Sequence, residues 1–277
     1  MCTAIITASL ARAIQGVANA ILKTWMRPGF EYLWVDALCI NQNDAQERSE
    51  QVRNMRQIYS RADEVFSWVG PIDRIRMSEE ALGCFLALPD WGNLYRSSTN
   101  SSLAISEAAT VFFGGQYWRR VWVIQEITVA TKVTILYGEH EFQWDDVAAV
   151  LRELQNTELD LKTGVSEAIN GATHLLRFRD RYTGRELVSL FDALAWSSKT
   201  LATDPRDKIF ALLGLCHDGS TFVPLPNYKQ DLGTIIADMS KMMMSLNRTL
   251  DFTCLKGVGS SVERSNLPSW APNWPSM

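Results

Sequence analysis

Apolar residues recur every three or four positions at Leu10, Ile14, Val17, Ile21 and Trp25. This stripe predicts an amphipathic helix, ended near Arg27-Pro28-Gly29. "EYLWVDALCI", residues 31–40, is nearly continuous apolar and rich in aromatic and branched side chains, the pattern of a buried parallel strand. A helix follows over 41–62. Asp44 and Glu47 have capping-box spacing there, and Val52, Met55, Tyr59 and Ala62 form its inner face. "EVFSWVG", residues 64–70, is a second strand closed by Gly70-Pro71. Helix, strand, helix, strand is the grammar of an open α/β sheet.

The middle is less regular. "SEEALGCFLAL" suits a helix, and "PDWGNLYRSSTNSS" reads as a polar surface loop. A helix from about Leu103 to Phe113 is broken by Gly114-Gly115, and "YWRRVWVIQEI" then reads as part of one buried helix over Tyr117–Ala130. "KVTILYG" is a third strand, and another helix starts at Trp144-Asp145. Beyond about residue 150 the pattern is mainly helical. "LVSLFDAL" puts Leu187, Leu190, Phe191 and Leu194 on one face, and "IIADMSKMMMSL" offers a Met-rich stripe that suits flexible core filling. In "TDPRDKIFALLGL", Asp204 caps a helix, Pro205 takes its first position and Asp207 its first turn. The Pro- and Trp-rich end "LPSWAPNWPSM" reads as extended across the surface.

Composition narrows the class without naming a function. The 277 residues are 47% hydrophobic and 21% charged, enough apolar content for a sizeable core. A formal charge of -4 supplies no basic field for nucleic acid or anionic lipid. Five dispersed cysteines form no CxxC, which suits reduced thiols in the cytoplasm. The opening "MCTAIITASLARAIQ" lacks a basic leading region, is interrupted by Arg12, and reads as a helix start rather than a signal peptide. No run reaches the roughly 18 apolar residues of a membrane span. Three histidines and scattered cysteines give no metal-ligand spacing, and there is no P-loop pattern.

Three stretches, "LWVDALCINQNDAQERSEQVRNMRQIYSRADEVFSWVG", "YWRRVWVIQEITVATKVTILYGEHEFQW" and "DPRDKIFALLGL", resemble in order the fungal heterokaryon incompatibility (HET) domain family. The family usually opens with a strand and a Tyr-x-Trp-Gly-like segment. This chain starts almost at the first helix, so the opening strand is expected to be missing, as in a truncated product. The resemblance implies a domain that triggers cell death when incompatible hyphae fuse, or the executing module of an innate-immunity-like receptor. HET domains are in turn distantly similar to TIR domains, some of which cleave NAD with a glutamate in a Trp-Cys-x-x-Glu pattern. Trp122 and Glu126 stand at that spacing here, with Val123 in place of the Cys.

On a helix Glu126 stacks beside Trp122 and Val123 and before Val129 and Ala130, so its charged form is disfavoured unless donors or a cation face it. Two uses follow: catalysis at the ribosyl–nicotinamide bond through an oxocarbenium-like state, or pairing with Arg119 or Arg120 or a backbone cap. Asp36 interrupts an apolar strand near its carboxyl end, where open α/β sheets place ligand sites; a buried carboxylate accepting backbone N–H bonds is the structural alternative. Asn41 and Gln42 either shape a turn or donate to a ligand, and Cys39 is expected as a small buried hydrophobe. The candidate site is therefore Glu126 as the catalytic carboxylate, with Asp36, Trp122, Asn41 and Gln42 as substrate contacts. It has no metal and no cofactor, and NAD is the substrate. Asp204, Arg206 and Asp207 are explained by the helix start, with Arg206 free to pair with an acid of the α/β part or to contact a phosphate.

The expected fold is α/β, a TIR-like open, mostly parallel sheet flanked by helices over 1–148, with a mainly helical extension over 149–277 packed on it. The expected function is a cytoplasmic cell-death effector in fungal self/non-self recognition that self-associates to complete its site. Its rivals are a non-catalytic module that docks on a receptor-type signalling partner and an inactive truncated paralogue.

Overall fold

The computed structural model describes residues 3–7, 29, 31–87, 99–156, 164–248, 268 and 270–272. The whole stripe from Leu10 to Trp25, residues 89–98 of the expected polar loop and most of the Pro- and Trp-rich end lie outside them; the last four residues of that loop, Thr99–Ser102, are not loop but the start of a helix.

The chain is mixed α/β. Strands β1 (Thr3–Thr7), β2 (Tyr32–Val35), β3 (Glu64–Gly70), β4 (Val133–Tyr137) and β5 (His140–Gln143) form one open sheet in the order β2-β1-β3-β4-β5. The first four are parallel, and β5 returns antiparallel along β4 through the tight turn at Gly138. A doubly wound sheet of this order gathers the carboxyl ends of its parallel strands along one edge, the usual position for a ligand. β3 and β4 are buried on both faces, which is why they read as unbroken apolar runs.

The opening differs from expectation. Thr3–Thr7 is not a helix start, and the opening strand is not missing: β1 lies inside the sheet, with Ile5 in register with Trp34 on one side and Val65 on the other. Its signal was the β-branched cluster Thr3, Ile5, Ile6 and Thr7, too short to compete with the long helical stripe after it. The strand read over 31–40 also ends early. Only Tyr32–Val35 pairs, and Asp36–Cys39 makes one turn of helix (α1), closed by Ile40 N–H donating to the Asp36 carbonyl at 3.1 Å.

Helix α2 (Ala45–Arg61) begins where the polar spacing predicts: Asp44 accepts from Gln46 N at 2.8 Å and from Glu47 N at 3.3 Å. Glu47 does not close a reciprocal box; its carboxylate accepts from Asn41 N at 3.0 Å and so binds the preceding turn to the helix. Met55, Tyr59 and Ala62 are buried. Helices α3 (Glu79–Leu86) and α4 (Thr99–Phe113) follow, and Phe85 and Phe112 meet Tyr137 of β4 in edge-on ring contacts.

The single helix expected over Tyr117–Ala130 is broken in two. Gln116–Arg119 is a 3-10 turn, Arg120 is extended, and α5 proper covers Val123–Val129. The break comes from a distant partner: Val121 N donates to the Leu201 carbonyl at 2.9 Å, and Leu201 N donates to that of Arg119. Every residue of α5 is buried.

Helices α6 (Trp144–Asn156), α7 (Val165–Thr183), α8 (Leu190–Trp196), α9 (Asp207–Leu213), α10 (Gly219–Phe222) and α11 (Leu232–Asn247) complete the described part. Arg179 of α7 donates to the carbonyls of Ile127, Thr128 and Ala130, answering the free acceptors at the end of α5 with a cation. Leu187 falls outside α8 and is exposed, whereas Leu190 and Leu194 are buried. In α11 Ile235, Ile236, Met239 and Met243 are core, and Met242 and Leu246 face outward.

Candidate functional site

Asp36 is the first residue beyond β2, at the carboxyl edge of the sheet. Its Oδ1 accepts from Ala37 N at 2.7 Å, and Gln42 Nε2 donates to its carbonyl at 3.4 Å. Burial raises its carboxyl pKa above the ordinary 3.8, against the Ala37 bond and the charge of Arg120. Beside it lies a cavity of about 70 Å³, lined by Asp36, Gln42, Arg48, Trp122, Asp207 and Tyr228 with Ile40, Val52 and Met55.

The far wall comes from the helical part. Asp207, the first residue of α9, is buried and accepts hydrogen bonds from the Tyr228 hydroxyl and the Trp122 indole. Burial raises its pKa too, and those two donors oppose the rise. The Tyr228 hydroxyl is held protonated by burial and by the adjacent Asp207 carboxylate. Arg48 of α2 lies 3.9 Å over the Tyr228 ring and 3.5 Å from Asp204. Asp204 in turn is gripped by both arms of Arg206, at 2.9 and 2.8 Å. Although burial works against it, that grip holds Asp204 below the ordinary carboxylate value. Arg206 also donates to the Tyr228 and Gln230 carbonyls. The acid of Arg206 is thus in its own loop, not in the α/β part; Arg48 is the α/β contribution.

Glu126 lies one helical turn behind Trp122, 1% exposed, and lines none of the described cavities. Tyr117 Oη donates to its Oε2 at 3.2 Å. Arg119 does not turn toward it: that side chain lies outward against Gly171 of α7, where an added Cβ would come within 2.8 Å of Arg119 Cγ. The hydroxyls of Tyr59 and Tyr117 are both held well above their ordinary range, first by burial and next by the negative Glu126. Asp36 also acts on Tyr59, and Arg120 opposes the rise in both. Tyr59 therefore senses both carboxylates, Asp36 at the cavity and Glu126 behind it. Tyr59 Oη, Arg120 Nη1 and Gln125 Oε1 are buried without a hydrogen-bond partner among the described residues.

Of the expected site residues, Asp36, Gln42 and Trp122 share one cavity. Asn41 is exposed and shapes the turn, its Oδ1 accepting from Asn43 N at 3.1 Å. Cys39 is exposed rather than buried, because the one-turn α1 swings it off the strand. Sequence reasoning missed Arg48 and Tyr228, and it read Asp207 as a helix-start acid alone. No local signal marks Tyr228. Asp207, an acid directly before an apolar run, carried one. Among the described residues no cluster of His, Cys, Asp and Glu suits a metal ion, and no helix is long and apolar enough to cross a membrane.

Residues 3–126 match the family model of heterokaryon incompatibility protein (HET). Over 87% of its length the chain is 24% identical to heterokaryon incompatibility protein 6, OR allele, of Neurospora crassa, and the match covers 44% of that protein, so the chain spans less than half of this relative. No solved structure matches the chain. The ordered VDALCINQ and Glu126 segments lie within or at the end of the matched stretch, and over residues 3–126 the chain is similar to the heterokaryon incompatibility protein (HET) family.

Proposed function

We propose that the chain is a cell-death effector in fungal self/non-self recognition, and that it acts by cleaving NAD at the Asp36–Trp122 cavity with Glu126 as the central carboxylate. One observation carries this reading: the cavity joins Asp36, Trp122 and Asp207 at the carboxyl edge of a doubly wound sheet, with Glu126 one turn behind. The TIR-like kinship of the sheet belongs to the same proposal. In the reaction, water adds to the ribosyl carbon as its bond to the nicotinamide nitrogen breaks. The bonding pair leaves with nicotinamide, a proton goes to solvent, and ADP-ribose remains. Two carboxylates near the developing cation stabilise it.

At about 70 Å³ the cavity is far below the roughly 300–1,000 Å³ of ordinary ligand pockets and admits one small group. In this proposal the closed cavity belongs to a resting form. Turnover requires the Trp122 wall to move, and self-association is the event assigned to that step.

The burial of Glu126 and its bond to Tyr117 favour a second reading, a docking module without catalysis. Expression in fungal hyphae separates the two. The enzymatic reading predicts killing and NAD depletion by the wild type and neither by Glu126→Gln, at equal protein level. Killing that persists in the variant with NAD intact would establish the docking reading instead.

A further inference from the structure

We infer that a groove between α2 and the segment 210–226 binds a nucleoside polyphosphate, its phosphates on Arg53, Arg56 and Arg61. The groove encloses about 600 Å³, within the ordinary range for small ligands. Three features give it that chemistry.

First, its lining contains three arginines and no aspartate or glutamate. Each of the three is exposed, and none has an ion pair or hydrogen bond among the described residues. A position in the last turn of α2 accounts for Arg61 as a helix-end cation, but not for Arg53 and Arg56. The nearby acids are engaged elsewhere: Asp218 of the opposite segment accepts from Leu190 N at 2.7 Å, and Asp192 of α8 accepts from Ser189 Oγ at 2.8 Å. Like charges on one wall repel, and a multivalent anion relieves that repulsion while accepting paired guanidinium bonds.

Second, the opposite wall is apolar, made by Phe210, Leu213, Val223, Pro224 and Pro226. It suits a base or ribose face, not a bare inorganic anion. Gly214 keeps the two walls close: a Cβ there would stand 3.1 Å from Arg56 Cβ.

Third, the groove continues. A further cavity of about 350 Å³ shares Arg53 and Pro226 with it and adds Lys229, a fourth cation, together with one acid, Glu50, which accepts from Gln46 Nε2 at 3.4 Å. The groove shares only Val52 with the Asp36 cavity, so this inference stands whether or not the chain cleaves NAD.

Calorimetric titration of the full purified chain with ATP, tripolyphosphate and adenosine at low salt tests it. ATP is expected to bind at least tenfold more tightly than either fragment, with affinity falling as salt rises. Arg53→Gln/Arg56→Gln should weaken ATP at least tenfold with unchanged melting, since both side chains are exposed and unpaired. Arg177→Gln, in a separate basic cavity, and Glu126→Gln should leave ATP binding as it is. No ATP binding, equal binding by adenosine or tripolyphosphate, or a loss caused by Arg177→Gln and not by the double variant would each overturn the assignment.

Discussion

Asp207 is the residue at which stability and the site meet most directly. Burial raises its pKa above 3.8, although the Tyr228 hydroxyl and the Trp122 indole donate to it. The folded protein therefore binds more protons than the unfolded chain between the ordinary value and the raised one. Over that window stability falls as pH rises, and the full cost is present above the folded pKa. Asn removes the charge and keeps one carbonyl oxygen that can accept from the Tyr228 hydroxyl. Urea unfolding of the wild type, measured against Asp207→Asn, should thus show a relative stability that declines from about pH 4 toward neutrality. A flat or rising difference would mean that the carboxylate is better solvated than its position between Trp122 and Tyr228 allows.

Among the elements, α2 was the most legible. Its cap, its inner face and its end all followed from local spacing, and β3 and β4 followed from apolar runs buried on both faces. Replacing the cap, Asp44→Ala, leaves the Gln46 and Glu47 N–H groups without their acceptor and should cost about 1 kcal/mol in chemical denaturation. A change within error would show that water serves those donors equally well. What local pattern could not supply were features made by distant partners. The stretch Tyr117–Ala130 has helical spacing throughout, yet pairing with Leu201 pulls Arg120 into an extended conformation. Strand β5 is short and mostly polar, and only its register against β4 makes it a strand. The near side of the candidate site, Asp36, Gln42 and Trp122, was readable from strand position and motif. The far side was not, because Asp207 and Tyr228 reach the cavity only through the packing of the helical part on α2 and α5.

At the scale of the whole molecule, the sheet edge and the helical part are joined through polar contacts that converge on one place. Arg48 meets Asp204, Tyr228 N donates to Ser49 Oγ at 3.1 Å, and Gln125 Nε2 donates to the Ala211 carbonyl at 2.7 Å. The cavity lies in that seam, so any rearrangement of the helical part against α2 changes its volume. The shielded Glu126 and the closed notch fit the proposed activation by assembly, and the enzymatic proposal depends on that opening. Its most direct test is nicotinamide release from NAD by concentrated purified protein, with Glu126→Gln beside the wild type. The account predicts turnover that rises more steeply than protein concentration and falls about 100-fold or more in the variant, with unchanged melting. Turnover at the same rate in the variant, or none from the wild type at any concentration, would contradict it.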